Sequence, residues 1–290
     1  MDDLMLYTTL FHNFFSLRPK KLIAIITRCK DEYFVGEFVD YYRREGIDDI
    51  FIIDDDSNDK SIYENILKKE SASVIFEKNI IEKNYASKLY KCLRRKYDWV
   101  LYIDVDEFIR TNSEKTIREI LLEKFLHADC IKIPWVMMSS NGRDKSPVSI
   151  LKANTWRWNH DKKHLHHIEK FRCRYEQIEV KCLFKTSVFK DIWDHHPKLP
   201  TSEPYIVDSI YGNKQELNPF HSRLRESDIK NGLLLCYHYR IISKENNRAK
   251  LKTNYWYKRN GYSLSDLESS DYAEVFDSSI ANRNAAQLHL

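Results

Sequence analysis

Between residues 21 and 103, short apolar runs alternate with stretches whose apolar residues recur at helical spacing. No other feature of the 290-residue chain limits the fold as much. Lys21 to Thr27 reads as a strand. Phe34, Val35, Phe38, Val39 and Tyr42 then share one helical face, and Gly46 ends that helix. Asp49 to Ile53 is a second strand, followed by a helix marked by Ile62, Tyr63, Ile66 and Leu67. Ser73 to Phe76 is a third strand, and Tyr85, Ala86, Leu89, Tyr90 and Leu93 form a third helical face. Trp99 to Ile103 is a fourth strand. Strands joined through helices lie parallel, which predicts an α/β chain: a mostly parallel central sheet with helices on both faces. Ligands of such sheets bind outside the carboxyl ends of the strands.

Three of these strand ends carry polar groups. Thr27, Arg28, Asp31 and Glu32 follow the first strand. Asp54, Asp55, Asp56 and Asp59 follow the second, and Asp104, Val105, Asp106 and Glu107 follow the fourth. The i, i+2 carboxylates of Asp104 and Asp106 point to one side of an extended backbone, where two hard oxygens suit Mg²⁺ or Mn²⁺ held against a phosphate. The Asp-rich turn after the second strand suits hydrogen bonding to a base or ribose through Asp54 and Asp55. It equally suits capping of the next helix, with Asp59 placed for both.

Only six glycines are present, and neither GxGxxG nor GxxxxGK[ST] occurs, so a Gly-rich phosphate loop is excluded. A formal net charge of +4, spread over mixed signs, argues against a nucleic-acid partner. The six cysteines form no CxxC pair and several sit in apolar runs, which reads as buried free thiols. No signal-peptide pattern and no apolar run of about 20 residues is found, so a cytoplasmic setting is expected. Peripheral membrane contact through Phe11, Phe14 and Phe15 is the most the sequence allows.

Beyond Ser113, expected to cap a helix, Ile117, Ile120, Leu121 and Phe125 share a face. Cys130 to Met138 is a strand whose Pro134 favours an edge or a bulge. Residues 139–200 have poor periodicity and are expected to form loops and short strands. Leu233 to Ile242 is strand-like, Glu245 to Tyr257 is a basic helix, and the chain turns acidic from Ser263. The expected organisation is an N-terminal extension (1–19), one catalytic domain (20–262) and an acidic C-terminal segment (263–290).

Taken together, Arg28-Cys-Lys-Asp-Glu32, Ile53-Asp-Asp-Asp-Ser-Asn-Asp59 and Trp99-Val-Leu-Tyr-Ile-Asp-Val-Asp-Glu-Phe108 resemble glycosyltransferases of the GT-A fold, of the family 2 type or family 92-like. Trp135 to Gly142, Lys181 to Lys185 with Trp193 to Pro197, Tyr237 to Arg240 with Ser243 to Glu245 and Lys250, and Phe276 to Ile280 match later elements of that family in order. The resemblance implies a Rossmann-like GT-A domain that moves a sugar from a nucleoside diphosphate, favouring a UDP-sugar, with inversion. The acceptor would be a hydroxyl of a glycan, glycoprotein or lipid-linked molecule. It implies Mn²⁺ or Mg²⁺ on Asp104 and Asp106, with a third ligand from a histidine, the candidates being His196 (or His195) and His238. Lys244, Arg248 and Lys250 would add charge to the diphosphate.

An inverting reaction needs a general base. Asp144 is expected in that role, because the loop after Ser139-Ser-Asn-Gly-Arg143 should border the acceptor; Asp191 and Asp194 compete with it. Trp135, Trp156 and Trp158 are of a kind that stacks on sugars but more often packs cores. His160, His164, His166 and His167 form a cluster in which His160 with His164 or His167 could share a helical face and bind zinc. With no HExxH and no paired Cys, a basic acceptor-side loop is expected instead. Two rival readings stay open: a non-catalytic nucleotide-sugar or glycan-binding module, and a metal-dependent phosphohydrolase.

Overall fold

A computed structural model describes residues 19–164, 177–194 and 196–287. Phe11, Phe14, Phe15, His166, His167, Cys173 and His195 lie outside the described residues. The strands are β1 (Lys21–Cys29), β2 (Asp49–Asp55), β3 (Ser73–Glu77), β4 (Tyr97–Tyr102), β5 (Glu107–Thr111), β6 (Cys130–Ser139), β7 (Trp156–Arg157), β8 (Ile178–Lys185), β9 (Phe189–Trp193), β10 (His196–Pro200), β11 (Ile206–Asp208), β12 (Lys214–Gln215), β13 (His221–Ser222), β14 (Leu234–His238) and β15 (Val275–Phe276). The helices that matter below are α1 (Val35–Arg44), α2 (Glu64–Lys68), α3 (Tyr85–Leu93), α4 (Ile117–Ile120), α5 (Lys244–Thr253), α6 (Tyr255–Arg259) and α7 (Ser279–Gln287).

The main path of the sheet runs β12-β11-β6-β8-β4-β1-β2-β3. The block β3-β2-β1-β4 is parallel throughout, as the alternation predicts. The order reverses between β1 and β4, which opens a crevice at their carboxyl ends. Both faces are covered. Ile23 and Ile25 of β1 join Trp99 and Leu101 of β4 in a core shared with Phe38, Val39, Tyr41 and Tyr42 of α1. Ala24, Ile26, Val100 and Tyr102 point the other way, into a second core with Tyr90 and Leu93 of α3. This is the two-sided burial that makes such strands apolar at every position.

Four local features differ from the sequence reading. The cap of α4 is Thr116, not Ser113: its hydroxyl accepts from Glu119 N at 3.2 Å, and Glu119 Oε2 accepts from Thr116 N at 2.7 Å, a closed capping box. Pro134 is not at an edge or bulge. It lies in the fully buried β6, where the neighbour on one side changes from β11 (paired to 130–132) to β14 (paired to 135–137), so its missing N–H falls where no ladder bond is needed. The stretch 139–200 includes β8, an eight-residue strand inserted antiparallel between β4 and β6. Its central Lys181 broke the apolar pattern, yet Lys181 is fully buried by ion pairing. The basic helix expected over 245–257 is two helices, α5 and α6, separated by Asn254, whose side chain accepts from Trp256 N and caps α6.

The acidic C-terminal stretch lies against the domain. Asp271 accepts from Ser139 Oγ, Ser140 N, Ser140 Oγ and Gly142 N, which fixes the loop after β6. Asp277 accepts from Arg157 Nε at 2.8 Å and Tyr237 Oη at 3.1 Å. Ile280 of α7 enters the main core. No helix among the described residues is long and apolar enough to cross a membrane.

Candidate active site

The β1/β4 crevice is where the charged side chains meet. Arg28, at the end of β1, donates from Nη2 to Asp104 Oδ1 at 3.1 Å and lies 3.6 Å from Asp194 Oδ1. Asp104 Oδ2 accepts from Lys181 Nζ at 2.8 Å, and the same ammonium is 2.9 Å from Glu107 Oε2. Lys250, from α5, donates to Asp106 Oδ2 at 2.8 Å and to the Arg240 carbonyl at 3.2 Å. The other oxygens face a histidine: His238 Nε2 lies 3.6 Å from Asp106 Oδ1 and 3.9 Å from Glu107 Oε1.

The backbone explains this division. β4 ends at Tyr102 and β5 begins at Glu107, so residues 103–106 turn instead of continuing extended. Glu107 N donates to the Asp104 carbonyl at 3.2 Å, and Asp104 N donates to Glu107 Oε2 at 2.9 Å. The premise that places i and i+2 on one side therefore does not hold. Asp104 is held by Arg28 and Lys181, while Asp106 swings toward Lys250 and His238. His238 arrives through β14, which pairs antiparallel with β5 so that His238 sits directly opposite Glu107. Tyr239 N donates to the Asp106 carbonyl at 2.8 Å and locks the junction.

Asp106, Glu107 and His238 each offer a ligand atom, and these atoms lie within 4.8 Å of one another. The donor set fits a divalent cation: two carboxylate oxygens and an imidazole nitrogen suit Mn²⁺ or a similar ion. Burial pushes the His238 imidazole down to about 3, so the ring is neutral and keeps a lone pair for coordination. Burial opposes charge on Asp106, but the Lys250 ammonium that it accepts from offsets this and holds the carboxyl below its ordinary range. Lys250 and Lys181 are both held above the usual lysine range despite burial, by the carboxylates they touch. Each lysine thus restrains one oxygen of a carboxylate while the other oxygen faces His238.

The cavity over this cluster is lined by six carboxylates (Glu32, Asp55, Asp104, Asp106, Glu179, Asp194) and four cations (Arg28, Lys30, Arg240, Lys250), with Trp135, Trp256 and Tyr257. Its lining is net acidic, which favours a cation. Burial, then the nearby Asp106, raises the Glu32 carboxyl to about 7.

Of the residues singled out in the sequence, Arg28, Glu32, Asp55, Asp104, Asp106, His238, Lys250, Trp135 and Asp194 share this cavity. The others lie elsewhere. Thr27 and Val105 are buried in the body of the fold. Asp54, fully buried, accepts from Ser57 Oγ, from Ser57 N at 3.1 Å and from Tyr63 Oη at 2.7 Å, which closes the turn after β2. Asp31, at φ 56, accepts from Asn58 N at 2.6 Å and Asn58 Nδ2 at 2.7 Å and ties that turn to β1. Asp144 is 78% exposed and pairs with Lys244 at 2.9 Å, outside the cavity. Asp191 accepts from Ser87 Oγ and pairs with Lys91 at 3.2 Å. His196 stacks on Phe220 at 3.8 Å. Trp156 meets Phe276, and Trp158 packs with His164 and Tyr272. His160 Nε2 accepts from Met137 N at 3.1 Å, and His164 Nε2 bonds Glu274 at 2.7 Å, so each ring has its own protein partner.

Glu107 and Lys181 stand in the charged cluster, although the sequence analysis gave neither of them a role. Glu107 was legible as the next carboxylate after Asp106. Lys181 was named only as the first residue of the matching element Lys181 to Lys185, with no ion pairing attached to it.

Neither a protein-family model nor a curated protein matches the sequence. Among solved structures, residues 1–349 of S. aureus TarS align with TM-score 0.36 and 14% identity, over 85% of this chain and 70% of that one. The same fragment in complex with UDP-GlcNAc aligns with TM-score 0.35 and 13% identity, over 66% and 60%. The 4-diphosphocytidyl-2C-methyl-D-erythritolsynthase from Anaerococcus prevotii DSM 20548 aligns with TM-score 0.31 and 12% identity, over 72% and 95%.

Proposed function

We propose that this chain is a metal-dependent glycosyltransferase of the GT-A type that moves a sugar from a nucleoside diphosphate donor to an acceptor hydroxyl. The observation that carries the reading is the convergence of Asp106, Glu107 and His238 beside Arg28 and Lys250, at the carboxyl end of a parallel sheet where its strand order reverses. A divalent ion held by that trio would supply Lewis acidity to the leaving diphosphate. Arg28 and Lys250 place fixed positive charge beside the trio, suited to neutralising and orienting phosphate oxygens without reorganisation. Lys181 acts on the protein side of the cluster. Buried between Asp104 and Glu107, it fixes both carboxylates and lowers their mutual repulsion.

The sequence resemblance supports a UDP-sugar as donor and inversion as the outcome. Inversion requires a proton acceptor that reaches the bound acceptor hydroxyl. We place that role on the cavity carboxylates Glu179 and Asp194 in preference to the surface Asp144, which is engaged by Lys244. The test is release of UDP from a panel of UDP-sugars with and without Mn²⁺. Release that needs Mn²⁺ and is lost in Asp106→Ala supports the reading. Binding without release identifies a module that only holds nucleotide sugars. Cleavage of simple phosphodiesters under the same conditions identifies a hydrolase and overturns it.

A further inference from the structure

Arg240 follows β14 two residues after His238, lines the cavity and is only 6% exposed. Its guanidinium lies 5.3 Å from the centre of the Trp256 ring and 5.8 Å from those of Tyr257 and Tyr262. Its Nε donates to Tyr257 Oη at 3.4 Å. The three rings also touch one another, with centres 5.4, 5.0 and 5.2 Å apart. With Leu251 and Leu267 they form a small apolar cluster apart from the two cores of the sheet. α6 and the turn after it thus build an aromatic box around a single cation. Ring faces attract a cation through its charge and use none of its N–H groups. The other cavity cations are placed differently. Arg28 lies against Asp104 and Asp194, Lys250 lies against Asp106, and Lys30 Nζ donates to the Asp55 and Asp56 carbonyls at 2.5 and 3.2 Å.

We infer that Arg240 binds the diphosphate of the donor, and that Trp256, Tyr257 and Tyr262 are positioning residues that hold its guanidinium for that contact. The inference rests on the proposed glycosyl transfer and deepens it by one binding residue and its support. The Arg240 carbonyl accepts from Lys250, the lysine that holds Asp106, so Arg240 stands beside Asp106 on the side of α5 and α6. Arg28 reaches the same turn from β1, through Asp104. A diphosphate over this turn would meet one guanidinium beside each aspartate. A guanidinium presents parallel N–H groups that match two phosphate oxygens, which an ammonium does not. Ring faces offset part of the cost of burying the cation without cancelling its charge, as a carboxylate does. Three rings around one side chain also restrict its rotamers, so the contact needs little reorganisation when a diphosphate arrives.

The experiment uses the full chain with Mn²⁺, titrated calorimetrically with UDP and with inorganic pyrophosphate. Mn²⁺ affinity without either ligand is measured on the same samples. Arg240→Met, which keeps an apolar stem in the box, should weaken UDP and pyrophosphate about tenfold or more, the scale of one lost charge-assisted contact. Arg240→Lys keeps the charge but not the fork, and should fall between the parent and Arg240→Met. Trp256→Leu leaves the cation in place and should weaken both ligands about threefold, and Trp256→Phe restores a ring and should recover most of that. Mn²⁺ affinity should be unchanged throughout. Absence of pyrophosphate binding by the parent, unchanged affinity in Arg240→Lys and Arg240→Met, an equal loss of Mn²⁺ affinity, or no recovery in Trp256→Phe each overturns the inference. Variants that lose only urea stability reveal a structural staple and overturn it too. Metal-dependent UDP release is measured separately. If release fails while Arg240-dependent pyrophosphate binding holds, transfer is refuted and the diphosphate contact stands; release with binding indifferent to Arg240 refutes the contact alone.

Discussion

Two buried charge clusters serve different ends in this molecule. On the far side of α1, Glu45 is fully buried and meets Arg283 of α7 through Nε at 2.6 Å and Nη2 at 2.8 Å. Arg283 also donates to the Ser113 and Lys115 carbonyls at 2.6 and 2.8 Å, and Glu45 accepts from Ile117 N at 3.0 Å. That network is bidentate and closed on itself, joining the end of α1, the start of α4 and α7. At the β1/β4 crevice, Arg28 and Lys181 engage both oxygens of Asp104, whereas Asp106 and Glu107 each give one oxygen to a lysine and turn the other toward His238. A closed network rigidifies a fold; one held open toward a cavity retains capacity for a ligand.

The largest expected effect separates the two clusters by activity. The charge-balanced double variant Asp106→Asn with Lys250→Met removes a carboxylate and the ammonium it holds together. Metal-dependent UDP release should fall at least about 100-fold. Retained release would break the assignment of the crevice as the reactive site. Glu45→Ala should do the opposite: it strands a buried guanidinium and should cost about 3–5 kcal/mol in urea unfolding, with Mn²⁺ affinity of the folded protein unchanged. An unaltered unfolding midpoint would show that the closed network supports nothing.

Metal addition sharpens the same contrast. Mn²⁺ at about 100 times its dissociation constant should stabilise the parent protein by about 2.7 kcal/mol. The shift should persist in Glu45→Ala and vanish in the double variant, as read by thermal melts with and without chelator.

The pH response tests a third buried group. Burial pushes His160 from 6.5 down to about 3, so the folded state resists a proton that the unfolded chain takes up below 6.5. Stability tied to His160 is therefore fully present above about pH 6.5 and is lost as pH falls toward 3. Its slope is about 1.4 kcal/mol per pH unit. His160→Gln keeps an acceptor for Met137 N and should flatten that part of the parent's profile; superimposable profiles would refute it. The smallest effect concerns Asp144. Its exchange for Asn should change UDP-sugar turnover by no more than about twofold, as for an exposed surface pair, and a collapse of kcat would return the general base to that loop.

Much of the β1-to-β4 half was legible because its signals are local. Phe38 and Tyr42 share a helical face, Gly46 takes the positive φ (83°) that ends α1, and the apolar runs of β1 and β4 are long enough to be buried on both sides. The second half was less so, because its residues are decided by partners distant in sequence. Lys181 looks like a break in a strand until Asp104 and Glu107 are seen around it. Pro134 looks like an edge residue until the handover from β11 to β14 is seen.

The sequence by itself determined the alternation, the parallel block and the edge at which Arg28, Asp55 and Asp106 emerge, since hydrophobic period and chain connectivity are written residue by residue. Only the tertiary structure decided how the carboxylates are shared. Residues 103–106 turn, β14 pairs with β5, and His238 lands opposite Glu107. Asp104 goes to Arg28 and Lys181, leaving Asp106 and Glu107 to meet the histidine. Those partners come from 76 to 144 residues away along the chain, and no local pattern specifies a cross-strand register over that distance.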